Sequence, residues 1–454
     1  MIPMKRPELL SPAGTLKNMR YAYAFGADAV YAGQPRYSLR VRNNDFTLEN
    51  LRTGISEAHA LGKLFYLASN VLPHNSKVKT YMADMEPVIA LQPDALIMAD
   101  PGLIMLVREK WPEIPIHLSV QANTVNYAAV KFWQAVGVKR IILSRELSLD
   151  EVAEIRQQCP EMELEVFVHG ALCIAYSGRC LLSGYFNHRD PNQGTCTNSC
   201  RWDYKVHEAS EDVSGDVRIN GNTGQERHAL SDQVYLIEEP NRPGELMPIE
   251  EDEHGTYIMN SKDLRAVEHV AKLVEIGIDC LKIEGRTKSH YYAARTAQVY
   301  RRAIDDAVAG KPFDPTLLGL LENLANRGYT DGFYQRHHTQ DYQNYIDGHS
   351  KSLTQQFVGE VTTLDPETGW AEIEVKNKFS VGDVVELLLP QGNQLFTITT
   401  MKNHQGETIS VASGSGHRVW IELPVREANF GLLTRQFAPA VAQGIEIKFA
   451  SAVV

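Results

Sequence analysis

Eight short apolar segments separated by helix-patterned stretches predict an α/β fold, a closed (β/α)8 TIM-like barrel. After residue 345 the pattern changes to short alternating strands about ten residues apart, which predicts a small C-terminal antiparallel β-barrel domain. At 454 residues the chain is long enough for both.

The predicted barrel strands are ELLSPAG (8–14), DAVYAG (28–33), LFYLASN (64–70), ALIMAD (95–100), IHLSVQ (116–121), RIILSRE (140–146), LEVFVHG (164–170) and CLKIEGR (280–286). Strands that are apolar along their length and alternate with helices belong to a parallel sheet covered on both faces. Eight of them favour closure over an open doubly wound sheet, and the first strand lacks the G-x-G-x-x-G turn of a dinucleotide-binding sheet. Leu16, Met19 and Tyr23 share one face of the first predicted helix, and Val130, Trp133 and Val136 one face of the fifth. Gly26, Gly62, Gly137 and Gly277 fall just before strands, where a left-handed residue ends a helix.

The predicted domains are 1–345 and 346–454. The first carries a cysteine segment at 169–202 and an acidic insertion at 207–255. QFVGEVTTLD, WAEIEVKN, DVVELLLP, LFTITTMKN, TISVAS and RVWIELP are the strands of the second. The stretch 207–226 is polar and glycine-rich and reads as an excursion from the barrel, with a short hairpin predicted at 242–255.

The formal charge of −11 disfavours a general polyanion binder at first sight. Residues 207–255, however, hold 13 Asp/Glu against 3 Lys/Arg, leaving 43 acids and 42 bases elsewhere. The remainder can therefore present a basic face. No apolar run reaches the roughly 18 residues a membrane span needs. The start, MIPMKRPELL, has no secretory apolar core, so a cytoplasmic protein without a membrane partner is the expectation.

Barrel active sites gather at the C-terminal ends of the strands. Those ends supply Ser11, Gln34, Asn70, Asp100, Gln121, Asn123, Arg145, Glu146, His169, Glu284 and Arg286. His169, Arg145, Glu146 and Glu284 are the candidate catalytic groups, since they can carry charge or a proton. Asn70, Gln121, Asn123 and Arg286 are candidate substrate-binding groups. Arg36, Arg40 and Arg42 in the loop after the second strand join them, because guanidinium forks suit phosphate or carboxylate. The stretch 285–303 adds Lys288, Arg295, Arg301 and Arg302 with Tyr291, Tyr292 and Tyr300. It reads equally as an RNA-binding strip and as a helix packed on the barrel.

Four of six cysteines lie within 28 positions, at Cys173, Cys180, Cys196 and Cys200, directly after the seventh strand. In a reducing compartment such a cluster means metal or catalysis more often than disulfides. The spacing C-x6-C-x15-C-x3-C suits a zinc knuckle only at its last pair. Iron–sulfur clusters tolerate such irregular spacing. Iron–sulfur, zinc and unligated thiols all stay open on spacing. Cys159 and Cys280 read as core thiols. A hydrolase reading finds no H-E-x-x-H, since HEASE at 207–211 lacks the second histidine, and no G-x-S-x-G. His169 four residues before Cys173 keeps a cysteine peptidase open. A non-catalytic RNA-binding or assembly factor is the third class.

The segment VHGALCIAYSGRCLLSGYFNHRDPNQGTCTNSCRW resembles the signature of the bacterial collagenase-like family long labelled peptidase. ELLSPAG, GADAVYAG, YIMNSKDL and LKIEGR match the same family over nearly the whole chain. YSLRVRNNDF and DPGLIMLVRE are similar to its tRNA-hydroxylating subgroup. The resemblance implies formation of 5-hydroxyuridine at the tRNA wobble position, with prephenate as a required metabolite. It also implies an iron–sulfur cluster, taken as [4Fe–4S], on Cys173, Cys180, Cys196 and Cys200.

Overall fold

Seven parallel strands run in order around the barrel in the computed structural model: β1 (Glu8–Pro12), β2 (Ala29–Gly33), β3 (Leu64–Ser69), β4 (Ala95–Met98), β5 (Ile116–Leu118), β6 (Arg140–Ile142) and β7 (Glu163–Ala171). A short strand, β8 (Asp263–Arg265), runs antiparallel along the end of β7. The eighth barrel strand, β9 (Cys280–Ile283), closes the ring by pairing with both β7 and β1, with Cys280 opposite Glu165 on one side and Glu8 on the other. The structure describes residues 5–39, 45–172, 262–324, 326, 328–335 and 355–437, together with the backbone of short strands between 209 and 257. Two of those strands, Leu246–Asp252 and Gly255–Tyr257, form a hairpin in the region where one was predicted.

Helices α1 (Leu16–Ala24), α2 (Leu48–Ala60), α3 (Asn75–Ile89), α4 (Pro101–Lys110), α5 (Tyr127–Ala135), α6 (Leu149–Gln158), α7 (Val270–Ile276) and α8 (His290–Val308) separate the strands. Side chains of Thr15, Thr47, Asp100, Asn126, Ser148 and Ser289 accept hydrogen bonds from the first-turn amides of their helices. Each cap satisfies a donor that the helix itself cannot. Gly26, Gly62, Gly137 and Gly277 all take positive φ, as the sequence predicted. Helix α5 differs from expectation. Of its predicted apolar face only Val130 is buried, whereas Val136 at the C-cap is 38% exposed.

Helix α8 resolves the ambiguous basic stretch in favour of packing. Tyr291, Tyr292 and Tyr300 are buried, and Arg295 is fully buried. Arg301 reaches Asp28 at 2.7 Å and Arg302 reaches Asp314 at 2.7 Å. Burial removes Tyr291, Tyr292, Tyr300 and Arg295 from any RNA-facing strip, whereas the Arg302 side chain stays 57% exposed.

The barrel interior is ionic rather than purely apolar. Arg140 Nη1 on β6 donates to Glu8 Oε1 on β1 at 2.8 Å and to Glu165 Oε2 on β7 at 3.4 Å. Lys282 Nζ on β9 donates to Glu165 Oε1 at 2.8 Å, and Tyr66 OH on β3 to Glu8 Oε2 at 2.8 Å. Contacts between non-neighbouring strands place these groups inside the ring. Burial opposes the Arg140 charge, but the Cys280 thiol, Glu8 and Glu165 outweigh it and raise its pKa. Burial, then Arg140 and Lys282, push His117 well below its usual pKa, so that imidazole stays neutral. Cys280 is pushed well up by burial and by the same carboxylates, and its thiol donates to Glu8 at 3.4 Å.

A second compact unit comprises Thr316–Ala325 and Lys351–Val454. Its eight-stranded antiparallel sheet is built around the long strand Gln355–Leu364, which pairs with Trp370–Val375 and with Leu432–Gln436. Val358, Ile373, Phe379, Leu387 and Ile421 fill its core. The alternation seen in the sequence is met, since Ala371, Ile373 and Val375 are buried while Trp370, Glu372 and Glu374 between them are only half-buried. Among the described residues no helix is long and apolar enough to cross a membrane.

Glu165 is fully buried between two cations. Removing one partner leaves uncompensated charge, so Glu165→Ala should lower unfolding stability by about 3–5 kcal/mol. Denaturant titration checks this, and a loss below about 1 kcal/mol would contradict the ionic core as described.

Candidate functional site

The C-terminal ends of the strands carry two polar clusters. The first joins β9, the loop after β2, β3 and β5 through a chain of hydrogen bonds. Arg286 Nη2 donates to the Leu39 carbonyl at 2.7 Å, and Leu39 N donates to Asn70 Oδ1 at 3.2 Å. Asn70 Nδ2 reaches Ser119 Oγ at 3.4 Å, and Ser119 Oγ also accepts from Gln121 N at 3.4 Å. Asn123 Nδ2 donates to the Gln121 carbonyl at 3.0 Å. The structure therefore brings together Asn70, Gln121, Asn123 and Arg286. It also adds Ser119, which the sequence reading missed because Ser119 reads as strand interior.

Asn123 holds this turn with φ 50° and ψ 53°, a left-handed conformation that asparagine tolerates better than most residues. The turn's backbone is thus fixed at Gln121 from both sides. Its side chain is not. Gln121 is 6% exposed, yet neither Oε1 nor Nε2 has a hydrogen-bond partner among the described residues. Ser38 and Thr124 are also buried, with hydroxyls that find no partner among the described residues. A buried orphan amide or hydroxyl costs about 1–3 kcal/mol per group.

The second cluster lies on β6, β7 and β9. Arg145 Nη2 meets Glu284 Oε2 at 3.3 Å, Arg145 Nη1 donates to the Ala171 carbonyl at 3.2 Å, and its guanidinium stacks on Phe167 at 3.8 Å. Lys282 Nζ, inside the barrel, lies 5.3 Å from the same ring centroid and 4.3 Å from that of Tyr31. Glu146 accepts a short hydrogen bond from Ser144 Oγ. The backbone of Glu284 is held at N by the His169 carbonyl at 2.8 Å and at O by Tyr292 OH at 2.7 Å. Gly170 makes this approach possible. It sits at φ +104°, and a Cβ there would lie 2.4 Å from the Glu284 oxygen. Gly285 does the same at φ +152°, where a Cβ would lie 2.5 Å from the Tyr292 ring.

His169 does not face these carboxylates. A register shift in the β7–β9 pairing skips Val168. The shift turns the imidazole toward α8, among Tyr292, Tyr300 and Tyr329, with ring centroids 5.5–5.8 Å away. Tyr300 OH lies 3.3 Å from Nδ1. Burial lowers its pKa to about 3, so the ring is neutral at ordinary pH. Arg36 is also committed elsewhere. Its exposed guanidinium pairs with Asp84 of α3 at 2.6 Å. Asp100 caps α4, and Gln34 Oε1 accepts from the Arg36 and Tyr37 amides at 2.6 Å. Arg40, Arg42, Cys173, Cys180, Cys196 and Cys200 lie outside the described residues.

The chain enters the cysteine segment from the end of β7, since Leu172 is the last described residue before Cys173. The two remaining thiols are spoken for in the fold. Cys159 and Cys280 are free and buried, and burial raises the pKa of each. They are the core thiols that the sequence predicted.

Comparison with known proteins assigns most of the chain. Residues 14–344 match Peptidase family U32, and residues 353–435 match the Peptidase family U32 C-terminal domain. The chain is 63% identical over 446 residues to "tRNA hydroxylation protein P" of Escherichia coli (strain K12), covering 96% of this chain and 98% of that protein. It is 26% identical over 436 residues to "Collagenase" of Porphyromonas gingivalis, covering 92% and 95% of the two. A solved C-terminal domain of a putative U32 peptidase from Geobacillus thermoleovorans aligns at 26% identity and TM-score 0.17, covering 18% of this chain and 93% of that one.

His169 also makes a pH prediction. Its folded pKa of about 3 lies below the unfolded value near 6.5. The unfolded chain therefore gains a proton first. Stability is full above pH about 6.5 and declines as pH falls toward about 3, by up to about 1.4 kcal/mol per pH unit from this group. His169→Asn should flatten the dependence between pH 6 and 4 by that amount. Unfolding midpoints measured across this range check it, and an unchanged slope would contradict the buried neutral imidazole.

Proposed function

This chain belongs to peptidase family U32, and from that premise we propose that it hydroxylates tRNA, converting the wobble uridine to 5-hydroxyuridine with prephenate as co-substrate. The observation that carries the reading is the 63% identity to a tRNA hydroxylation protein across 96% of the chain. The polar mouth supports it. A nucleobase needs neutral donors and acceptors, and Asn70, Gln121, Asn123 and Ser119 supply them in one connected turn. A dicarboxylate such as prephenate needs fixed positive charge, which Arg145 and Arg286 offer on rigid backbone anchors. Glu284 keeps Arg145 oriented rather than free to swing. In this reading His169 is a positioning residue, because its carbonyl fixes Glu284 N and its ring is neutral and enclosed.

Cys173, Cys180, Cys196 and Cys200 would hold an iron–sulfur cluster, [4Fe–4S]. Four thiols in the stretch that follows β7, the first at Cys173, suit it, and the other two cysteines are occupied in the core. Such a cluster supplies electron-transfer capacity to the site. The peptidase reading, raised by the collagenase relative, needs a histidine base at the mouth. His169, the histidine nearest Cys173 in sequence, faces three tyrosines instead.

Cells lacking the protein should lose 5-hydroxyuridine-derived nucleosides at the wobble position, as read by mass spectrometry of digested tRNA. Wild-type chain should restore them only where prephenate is made. Cysteine→Ala variants at 173, 180, 196 or 200 should fail. Anaerobically purified protein should be brown and contain iron and acid-labile sulfide, and Cys180→Ala should bleach it. Unchanged tRNA in the deletion strain would overturn the reading, as would peptide cleavage by metal-free protein that depends on Cys173. Stoichiometric zinc without iron would overturn the cluster.

A further inference from the structure

We propose that the Gln121 side-chain amide reads the Watson–Crick edge of the substrate uracil, pairing through Oε1 with N3–H and through Nε2 with the neighbouring carbonyl. This rests on the tRNA reading above and names the residue that meets the base.

The turn that presents Gln121 is over-determined. Ser119 Oγ accepts its backbone N–H and Asn123 Nδ2 donates to its carbonyl. Ser119 is itself anchored, its N–H donating to the Met98 carbonyl at 2.6 Å, while Asn123 adopts the left-handed region. A non-glycine residue in that region is strained, and such strain gathers at ligand-holding turns. All this order fixes the Gln121 backbone, while both ends of its amide are buried and find no partner among the described residues. Buried polar groups in folded proteins nearly always find a partner, so an orphan at a strand-end site points to a ligand.

The chemistry of the orphan selects the ligand. A carboxylate or phosphate accepts only, so it could satisfy Nε2 but would repel Oε1. A carboxamide with both ends unpaired among the described residues instead matches an edge that offers a donor beside an acceptor. The uracil edge has N3–H flanked by two carbonyls. The cations at the mouth, Arg145 paired with Glu284 and Arg286 bonded to the Leu39 carbonyl, suit anionic groups better than this amide does. Gln121 thus offers a neutral base-reading amide within a cluster that also holds Arg286.

Affinities of the full-length, anaerobically purified protein test this, using anticodon stem-loop RNAs with uridine or N3-methyluridine at the wobble position. Wild-type protein should bind the N3-methyl loop about tenfold more weakly, the scale of losing one good base contact. Gln121→Met has a similar length and no hydrogen-bonding ends. It should bind the uridine loop about tenfold more weakly and show no further loss on N3-methylation. Gln121→Ala serves as the second variant, and a matching thermal unfolding midpoint certifies each fold. If the variants bind uridine loops like wild type, Gln121 does not touch the base. If the N3-methyl penalty persists in Gln121→Met, the penalty is steric and the proposal falls. If wild-type protein binds no stem-loop at all, the tRNA reading itself has failed, a separate and recognisable result.

Discussion

Glu165, buried between Lys282 and Arg140 inside the barrel, is the interaction on which the rest of the site depends. A carboxylate without solvent holds its charge only with cations and hydrogen bonds around it. Arg140 extends the network to Glu8, and Tyr66 completes the Glu8 carboxylate. Lys282, fixed by Glu165, lies near the rings of Tyr31 and Phe167. Phe167 then carries Arg145, and Arg145 meets Glu284 at the mouth. One chain of charges and rings thus runs from the closed interior to the strand ends. Replacing such an ion network with apolar residues can be neutral or even stabilising, so stability alone does not account for it. Its consequence here is orientation, because it fixes which ring faces the mouth and which cation stacks there.

Much of the fold was legible in the sequence because two independent signals agreed. Apolar strands recur eight times, and each interval carries either a helix pattern or a helix-ending glycine. What the apolar count hid was the parity inside those strands. Arg140, Glu165 and Lys282 sit within RIILSRE, LEVFVHG and CLKIEGR, each at an inward position. Period-two reading of charge, rather than hydropathy over the whole strand, is the signal that finds them.

The candidate site was legible by address more than by role. Asn70, Gln121, Asn123, Arg145, Glu284 and Arg286 were found because they follow strands, and the structure joins them into two clusters. Role depends on what each side chain touches, which spacing does not carry. His169 illustrates this, since a register shift of one residue in β7 turns it from the mouth to α8. Arg36 is another case, drawn to Asp84 of a helix distant in sequence. The basic, tyrosine-rich α8 was ambiguous for the same reason, and its packing against the barrel decided it.

These parts make one account: an ionic interior orients a mouth whose neutral amides suit a base and whose arginines suit an anion, on the chain just before a four-cysteine segment. Its central claim is that the tRNA anticodon enters at the C-terminal ends of the barrel strands. Photocrosslinking with 4-thiouridine at the wobble position, followed by peptide mapping, tests this most directly. The account predicts crosslinks to peptides containing Asn70, Ser119–Thr124 or Glu284–Arg286. Crosslinks confined to residues 355–437, or to the opposite end of the barrel around Lys5 and Glu163, would contradict it.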